Sequence, residues 1–107
     1  MPLFMHQASF TTESWAKMAK EPQNRAEAMR KNFERLGGKL VSYWYCFGEQ
    51  DVVVISEMPD NTSAAAACIA ASASGTLKSL KTTALISVEE TLEAMRKAGT
   101  AGYVTPK

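Results

Sequence analysis

The chain has 107 residues, enough for one domain whose core buries roughly two-thirds of the unfolded surface without metals or disulfides. Its 46% hydrophobic and 21% charged residues argue against a disordered chain, and its net charge of +1 lacks the basic surplus that is typical of nucleic-acid binders. No apolar run in the sequence is long enough to cross a bilayer, so no membrane association is predicted.

The N-terminal segment and the cysteines predict a cytoplasmic protein. The segment MPLFMHQASF lacks the positive and continuously apolar regions of a secretion signal. A small secreted domain usually has more than the two cysteines of this chain, Cys46 and Cys68. Both lie among small and apolar residues, without a CxxC spacing or paired histidines, so we expect buried, inert thiols and no metal site.

The first third of the chain predicts a strand followed by a helical region. Residues 2–10 mix apolar and small polar positions, as a strand does. Thr11 and Thr12 offer N-cap oxygens for a helix whose apolar stripe recurs at steps of three and four. Pro22 interrupts that stripe, which predicts a kink or a short helix leading into a longer one. Gly37-Gly38 then ends the helix.

Two strands follow, joined by a short turn. The second strand is predicted over Lys39–Phe47 and the third over Val52–Met58, with the turn Gly48–Asp51 between them. The run VVVI in the third strand shows no polar alternation, which is typical of a central strand with both faces covered.

The last part of the chain predicts a helix, a strand and a second helix. The segment SAAAACIAASAS forms a helix of small side chains that ends at Gly75, and such a helix can approach a sheet closely. Residues 76–87 predict the fourth strand. Ser87 and Glu90 form a capping box for a final helix that ends at Lys97. In the tail, Tyr103 and Val104 are expected to dock on the body or on a partner chain, because they are the only large apolar side chains there.

This order, β-α-β-β-α-β with an extra C-terminal helix, predicts an α+β, ferredoxin-like fold with an antiparallel sheet. We expect one domain over residues 1–107, with its core in 2–87 and a helix and tail in 88–107. The first and third strands are central in this arrangement, and the two main helices cover one face of the sheet. The second face is partly apolar, so pairing of two sheets in a homodimer is expected to hide it.

Several short stretches carry a resemblance to a known family. The strand YWYCF leads through Gly48, Glu49 and Asp51 into an aliphatic strand; LGGKL precedes this strand, PDNTSAAAA follows the next one, and KTTAL lies in the last strand. Over residues 2–87 the chain resembles the GYD-domain family, small bacterial proteins with a ferredoxin-like, dimeric α/β-barrel fold. Gln50 stands where the Gly-Tyr-Asp-like signature of that family has tyrosine.

The resemblance implies a fold more than a reaction. The wider dimeric α/β-barrel group contains cofactor-independent monooxygenases, isomerases, haem enzymes and effector-binding modules, and choosing among them rests on analogy of fold. His6 alone offers an axial ligand for haem, and nothing else in the sequence supports that cofactor. We therefore predict no cofactor.

Two residues are candidates for catalysis. His6, the single histidine, lies on a predicted central strand and titrates in the range that suits a general base. The alternative, which we favour, is a partly buried histidine with one hydrogen-bond partner. Asp51 follows the turn and is a candidate carboxylate, although it can equally accept backbone N–H bonds that hold the hairpin.

Aromatic residues are candidates for ligand binding. Tyr43, Tyr45 and Phe47 alternate onto one face of the second strand, and Trp44 and Cys46 onto the other. One set meets the helices and the other meets solvent or a partner, and the sequence does not say which. Core packing is the competing interpretation. The predicted ligand-binding residues are Trp15, Tyr43, Trp44 and Tyr45.

The sequence therefore predicts a homodimer that binds a small, partly apolar molecule between the sheet and the helices. Two alternatives stay open. One is a cofactor-independent monooxygenase- or isomerase-like enzyme in which His6 moves the proton. The other is a non-catalytic effector-sensing or interaction module.

Overall fold

The computed structural model describes residues 1–106 and contains four strands and four helices. In chain order these are β1 Leu3–Phe10, α1 Thr12–Lys20, α2 Arg25–Arg35, β2 Lys39–Tyr45, β3 Val52–Glu57, α3 Asn61–Ala73, β4 Leu77–Leu85 and α4 Val88–Thr100. The predicted order of elements is confirmed, and the interruption at Pro22 separates a short helix, α1, from a longer one, α2.

The ends of several elements differ from the sequence predictions. The prediction that the second strand reaches Phe47 is wrong: the Cys46 amide donates to the Asp51 carbonyl at 2.8 Å, which closes the hairpin, and Phe47 projects into solvent with 99% of its surface exposed. The third and fourth strands are shorter than predicted, and the last helix runs three residues beyond Lys97 to Thr100.

Side-chain caps and a glycine set several helix ends where the sequence placed them. Thr11 caps α1 by accepting from the Ser14 amide at 3.1 Å, and Ser87 caps α4 by accepting from the Glu90 amide at 3.0 Å. After α2 the chain reverses through Gly37 with φ of 83°, a conformation that residues with a Cβ rarely adopt.

The sheet has the strand order β2-β3-β1-β4, with every neighbouring pair antiparallel. This is the ferredoxin-like arrangement, with β1 and β3 in the centre as predicted. In β1, His6 lies opposite Val54 of β3 on one side and Thr82 of β4 on the other. The pairing of β2 with β3 shifts between Leu40 and Ser42, where a bulge at Val41 changes which residues of β2 face the helices.

One face of the sheet packs against α2 and α3 and forms the core. Alternate residues of β1 point to this face, and those of β3 do the same, because side chains alternate along a strand. Phe33 of α2 and Ala64 of α3 complete the core from the helices. The buried apolar residues are Phe4, Ala8, Phe10, Phe33, Val52, Val54, Met58 and Ala64.

The opposite face of the sheet has no helix over it. Met5, Val53 and Ile55 lie half-buried at its centre, and Trp44 is 65% exposed on β2. The prediction that both faces of the third strand are covered is therefore wrong within one chain. We call the surface formed by Met5, Trp44, Val53, Ile55 and Leu85 the open face.

Helix α4 extends away from the body and buries none of its residues. The chain measures 58 × 33 × 22 Å, with a radius of gyration of 17.2 Å against about 13 Å for a compact domain of this size. Val88, Leu92 and Met95 are exposed along one stripe of α4, and Tyr103 and Val104 are more than four-fifths exposed. The tail thus does not dock on the body of its own chain. Within residues 1–106, none of the helices is apolar over a length that would span a membrane.

Candidate functional site

A cavity of about 430 Å³ lies between the sheet and helices α2 and α3. His6, Ala8 and Phe10 of β1, with Val52 and Val54 of β3, form its floor. Its roof is formed by α2 and by the alanines of α3, whose short side chains leave the volume unfilled. This size and this mostly apolar lining are typical of a small-molecule site. The lining residues from α3 are Ala67, Cys68, Ala70 and Ala71.

His6 is the most buried polar group in the lining, with 7% of its surface exposed. Both of its ring nitrogens have hydroxyl partners: Nδ1 lies 2.9 Å from Thr82 Oγ1, and Nε2 lies 2.8 Å from Ser56 Oγ. Its ring stacks on Phe33 at a centroid distance of 5.6 Å and an angle of 22°. The imidazole is therefore held by β3, β4 and α2 together, with two hydrogen-bond partners instead of the single one expected.

Burial lowers the pKa of His6, because a charged imidazolium loses hydration in this setting. A neutral imidazole has one donor and one acceptor nitrogen, and a hydroxyl can serve either role, so both contacts are satisfied in the neutral form. The ring is thus a neutral proton acceptor near physiological pH.

Cys68 extends this network to the cavity wall. Its Sγ lies 3.0 Å from Thr82 Oγ1 and 4.0 Å from His6 Nδ1. Cys46 lies elsewhere, where its Sγ donates to the Gln50 carbonyl at 3.1 Å. Both thiols are free and half-buried, so the prediction of fully buried cysteines is wrong. Cys68 lines the cavity because it is on the inner face of an alanine-rich helix.

Tyr43 is the second predicted site residue in the lining. Burial is the main cause that raises the pKa of Tyr43, and the neighbouring Tyr45 adds to the shift. The phenol therefore stays protonated and presents a hydrogen-bond donor. The ring of Tyr45 meets it edge-on at a centroid distance of 5.3 Å. Arg25, the first residue of α2, also lines the cavity, and its guanidinium lies 5.1 Å above the Phe10 ring.

Asp51 and Trp15 lie beside the cavity wall but not in its lining. Asp51 Oδ2 accepts from the Phe10 amide at 2.9 Å and from Trp15 Nε1 at 3.1 Å. Trp15 packs edge-on against Phe10 with a centroid distance of 5.2 Å. The Asp51 carboxylate thus joins the β2–β3 turn to β1 and α1.

The two remaining predicted binding residues are separated by the strand alternation of β2. Tyr45 lies on the helix side, where its ring contacts those of Phe10 and Tyr43, but it is not part of the lining. Trp44 pairs with Val53 and lies on the open face, away from the cavity. The structure therefore brings His6 and Tyr43 together in the cavity and leaves Trp15, Trp44, Tyr45 and Asp51 outside its lining.

Sequence reasoning did not identify Ser56 or Arg25 as site residues, did not place Thr82 beside His6, and treated Cys68 as an inert thiol. The first strand pairs with the fourth in a ferredoxin-like sheet, so the contact of His6 with the Thr82 hydroxyl could be predicted only with knowledge of the register of these two strands. Nothing in the sequence near Arg25 distinguishes it from other basic residues on α2. Among residues 1–106, no three His, Cys, Asp or Glu side chains cluster as metal ligands do.

Comparison with known proteins agrees with the resemblance seen in the sequence. The model of the GYD domain family matches residues 4–95, a range that includes all of the sheet except Leu3, helices α1 to α3 and most of α4. No curated protein matches the chain.

Proposed function

Because the chain belongs to the GYD domain family and encloses a mostly apolar cavity around a buried histidine, we propose that it binds a small, partly apolar molecule there as a homodimer. The observation that carries the proposal is the cavity itself. It is a cleft of about 430 Å³ between the sheet and the helices, open to solvent at its edge, and its lining is mostly apolar. Apolar walls that stay in contact with water forgo the stabilisation that burial gives, so a ligand that covers them is expected to stabilise the fold.

The polar groups in the lining support a ligand with at least one hydrogen-bonding group. Tyr43 offers a protonated phenol, and Cys68, whose Sγ contacts the Thr82 hydroxyl, offers a thiol at the wall beside His6. A few convergent polar groups in an apolar cavity are typical of sites that orient a small molecule.

Two surfaces support the homodimer. The open face leaves Met5, Val53 and Ile55 without cover, and α4 carries an exposed apolar stripe that its own chain does not bury. A dimer that pairs two open faces, with α4 of each chain against its partner, would remove both apolar surfaces from contact with water. The two free thiols are consistent with a reducing compartment and support the proposal of a cytoplasmic protein.

The hydrogen-bond network favours a second candidate function, proton transfer on the bound ligand. A neutral His6, which lines the cavity, accepts a proton from an acidic C–H or enol group of the ligand; the carbanion that remains is either reprotonated by His6 at another carbon, which completes an isomerisation, or oxidised by dissolved dioxygen. Replacing His6 by Ala separates this function from binding alone. If the protein is an enzyme, the variant loses turnover while it still binds ligand. If His6 is purely structural, its replacement lowers the stability of the fold.

Native mass spectrometry of the untagged, gently desalted protein tests the main proposal. The expected species is a dimer with a reproducible added mass that disappears on denaturation. Ala67→Phe fills the cavity and is expected to abolish the adduct while the dimer remains. Ala65→Phe on the exposed side of α3 is the matched control and is expected to keep it. A monomer contradicts the homodimer, and an adduct that survives Ala67→Phe contradicts binding in this cavity.

A further inference from the structure

The charged residues around the cavity are all of one sign. Arg25 and Arg35 line it, and none of its lining residues is an aspartate or glutamate. His6 and Tyr43, the other titratable groups that face it besides Cys68, are held in their neutral forms. A mostly apolar cavity with positive charge at its edge is complementary to an anion that carries an apolar body.

Arg25 has no acidic partner among the described residues. The ion pairs within residues 1–106 join Arg30 to Glu27 and Glu34, and Arg96 to Glu93. Arg25 is half-buried, and its guanidinium lies over the Phe10 ring and close enough to Tyr43 to oppose the rise in the pKa of that phenol. Its planar group is thus held in place with its donors available, which suits bidentate contact with a carboxylate.

The position of Arg25 on its helix also points to an anion. It is the first residue of α2, where the helix dipole favours negative charge and disfavours a cation. Arg35 is different, since it is exposed in the last turn of α2, where the dipole stabilises a cation without any ligand. An anionic group bound beside Arg25 would be stabilised by both the guanidinium and the helix N-terminus.

We propose that the ligand of this cavity is an amphipathic organic carboxylate whose head pairs with Arg25 and whose apolar body runs along β1 towards His6. This inference rests on the proposed binding function. Phe10, under Arg25, and His6 are four residues apart on one strand, which is about 13 Å. A body of that length passes Tyr43 and the alanines of α3, and it brings the far end of the ligand to the His6–Thr82 pair.

Three probes with one chain length and different head charges test the proposal: decanoate, decanol and decylamine. Calorimetric titration of the ligand-free protein is expected to show decanoate binding about tenfold or more tightly than decanol, because an ionic hydrogen bond to Arg25 is added. Decylamine is expected to bind most weakly. Ala67→Phe is expected to weaken binding of all three, which locates the site.

Arginine variants assign the effect to one side chain. Arg25→Gln is expected to weaken the binding of decanoate about tenfold, to the affinity of decanol, and to leave the affinity for decanol unchanged. Arg25→Lys keeps the positive charge but lacks the paired N–H donors of the guanidinium. Its affinity for decanoate is expected to lie between those of the wild type and Arg25→Gln. Arg30→Gln, on the same helix but outside the lining, removes the same charge and is expected to bind decanoate as the wild type does.

The outcomes separate this inference from the proposed function. If decanol binds as tightly as decanoate, or if Arg25→Gln leaves decanoate unchanged, the carboxylate inference is overturned while the binding cavity stands. If none of the three probes binds, both are overturned. Tight binding of decanoate that is lost in Arg25→Gln and kept in Arg30→Gln supports both.

Discussion

The Nε2 atom of His6 lies 2.8 Å from Oγ of Ser56, a residue with no exposed surface. This contact joins the two central strands from their inner face, and the Thr82 hydroxyl holds the opposite ring nitrogen from β4. An imidazole bound in this way is a structural part of the core as well as a wall of the cavity. Changes in its charge are therefore expected to alter the stability of the fold.

Acidification is expected to destabilise the protein through His6. Its pKa is lowered by burial, so below about pH 6.5 the unfolded chain binds a proton that the folded chain still excludes. The free energy of unfolding therefore falls as the pH drops from about 6.5 towards the pKa of the folded state, and His6 contributes no pH dependence above that window. Urea midpoints at a series of pH values measure this effect.

His6→Gln is the control for that experiment, because His6 is the single histidine and glutamine does not titrate. The variant is expected to lose the slope that the wild type shows as the pH falls below about 6.5. Asp60 and Glu27, whose pKa values are lowered by hydrogen bonds, lose their charge at more acid pH. An unchanged slope in His6→Gln would show that another group causes the dependence.

Asp51→Ala is expected to destabilise the fold by about 2 kcal/mol, because the buried Phe10 amide and the Trp15 indole lose their acceptor. Asp51→Asn keeps an acceptor oxygen and is expected to cost less. Thermal denaturation followed by tryptophan fluorescence measures both. If Asp51→Asn instead left stability unchanged but abolished a ligand-dependent activity, Asp51 would be catalytic and its structural role secondary.

Gly38→Ala is expected to destabilise the protein by about 3 kcal/mol. A Cβ at this position would overlap the Glu57 carbonyl oxygen and Sδ of Met58, which is completely buried. Gly99→Ala is the matched control in α4, where the added methyl meets open space and alanine favours the helix by about 1 kcal/mol. Chemical denaturation of the two variants is expected to give shifts of opposite sign, and equal shifts would contradict the close packing at Gly38.

Ile55→Lys is expected to convert the protein to a monomer, because it places a charge at the centre of the open face beside Met5. Ile69→Lys is the control on the outer side of α3, where Ile69 is 69% exposed, and it is expected to remain dimeric. Light scattering after size-exclusion chromatography measures the mass of each. A dimer that persists in Ile55→Lys places the interface elsewhere.

Local chemistry made much of the fold predictable. The inner face of β1, the caps at Thr11 and Ser87, and the left-handed Gly37 each depend on residues close together in the chain. The apolar run in β3 correctly indicated a central strand. The prediction that both faces of β3 are covered was wrong within one chain, because the placement of the helices on one side of the sheet depends on tertiary packing.

The cavity was only partly predictable. His6 and Tyr43 were identified from residue type and strand position, but Arg25 and Cys68 enter it because of how α2 and α3 rotate over the sheet. The Ala-rich α3 suggested close approach to the sheet. In the structure its short side chains instead leave a volume that the larger residues around it do not fill.

The sequence by itself determined the element order, the central strands, the helix starts at Thr11 and Ser87, and the family, since these follow from periodicity, capping and short motifs. Only the tertiary structure decided what faces the cavity. The bulge at Val41 shifts the alternation of β2, so that both Leu40 and Tyr43 lie on the helix side and Trp44 on the open face. Thr82 meets His6 only through the register of two strands that are far apart in the chain. Register and helix placement depend on packing between distant segments, which no local pattern specifies.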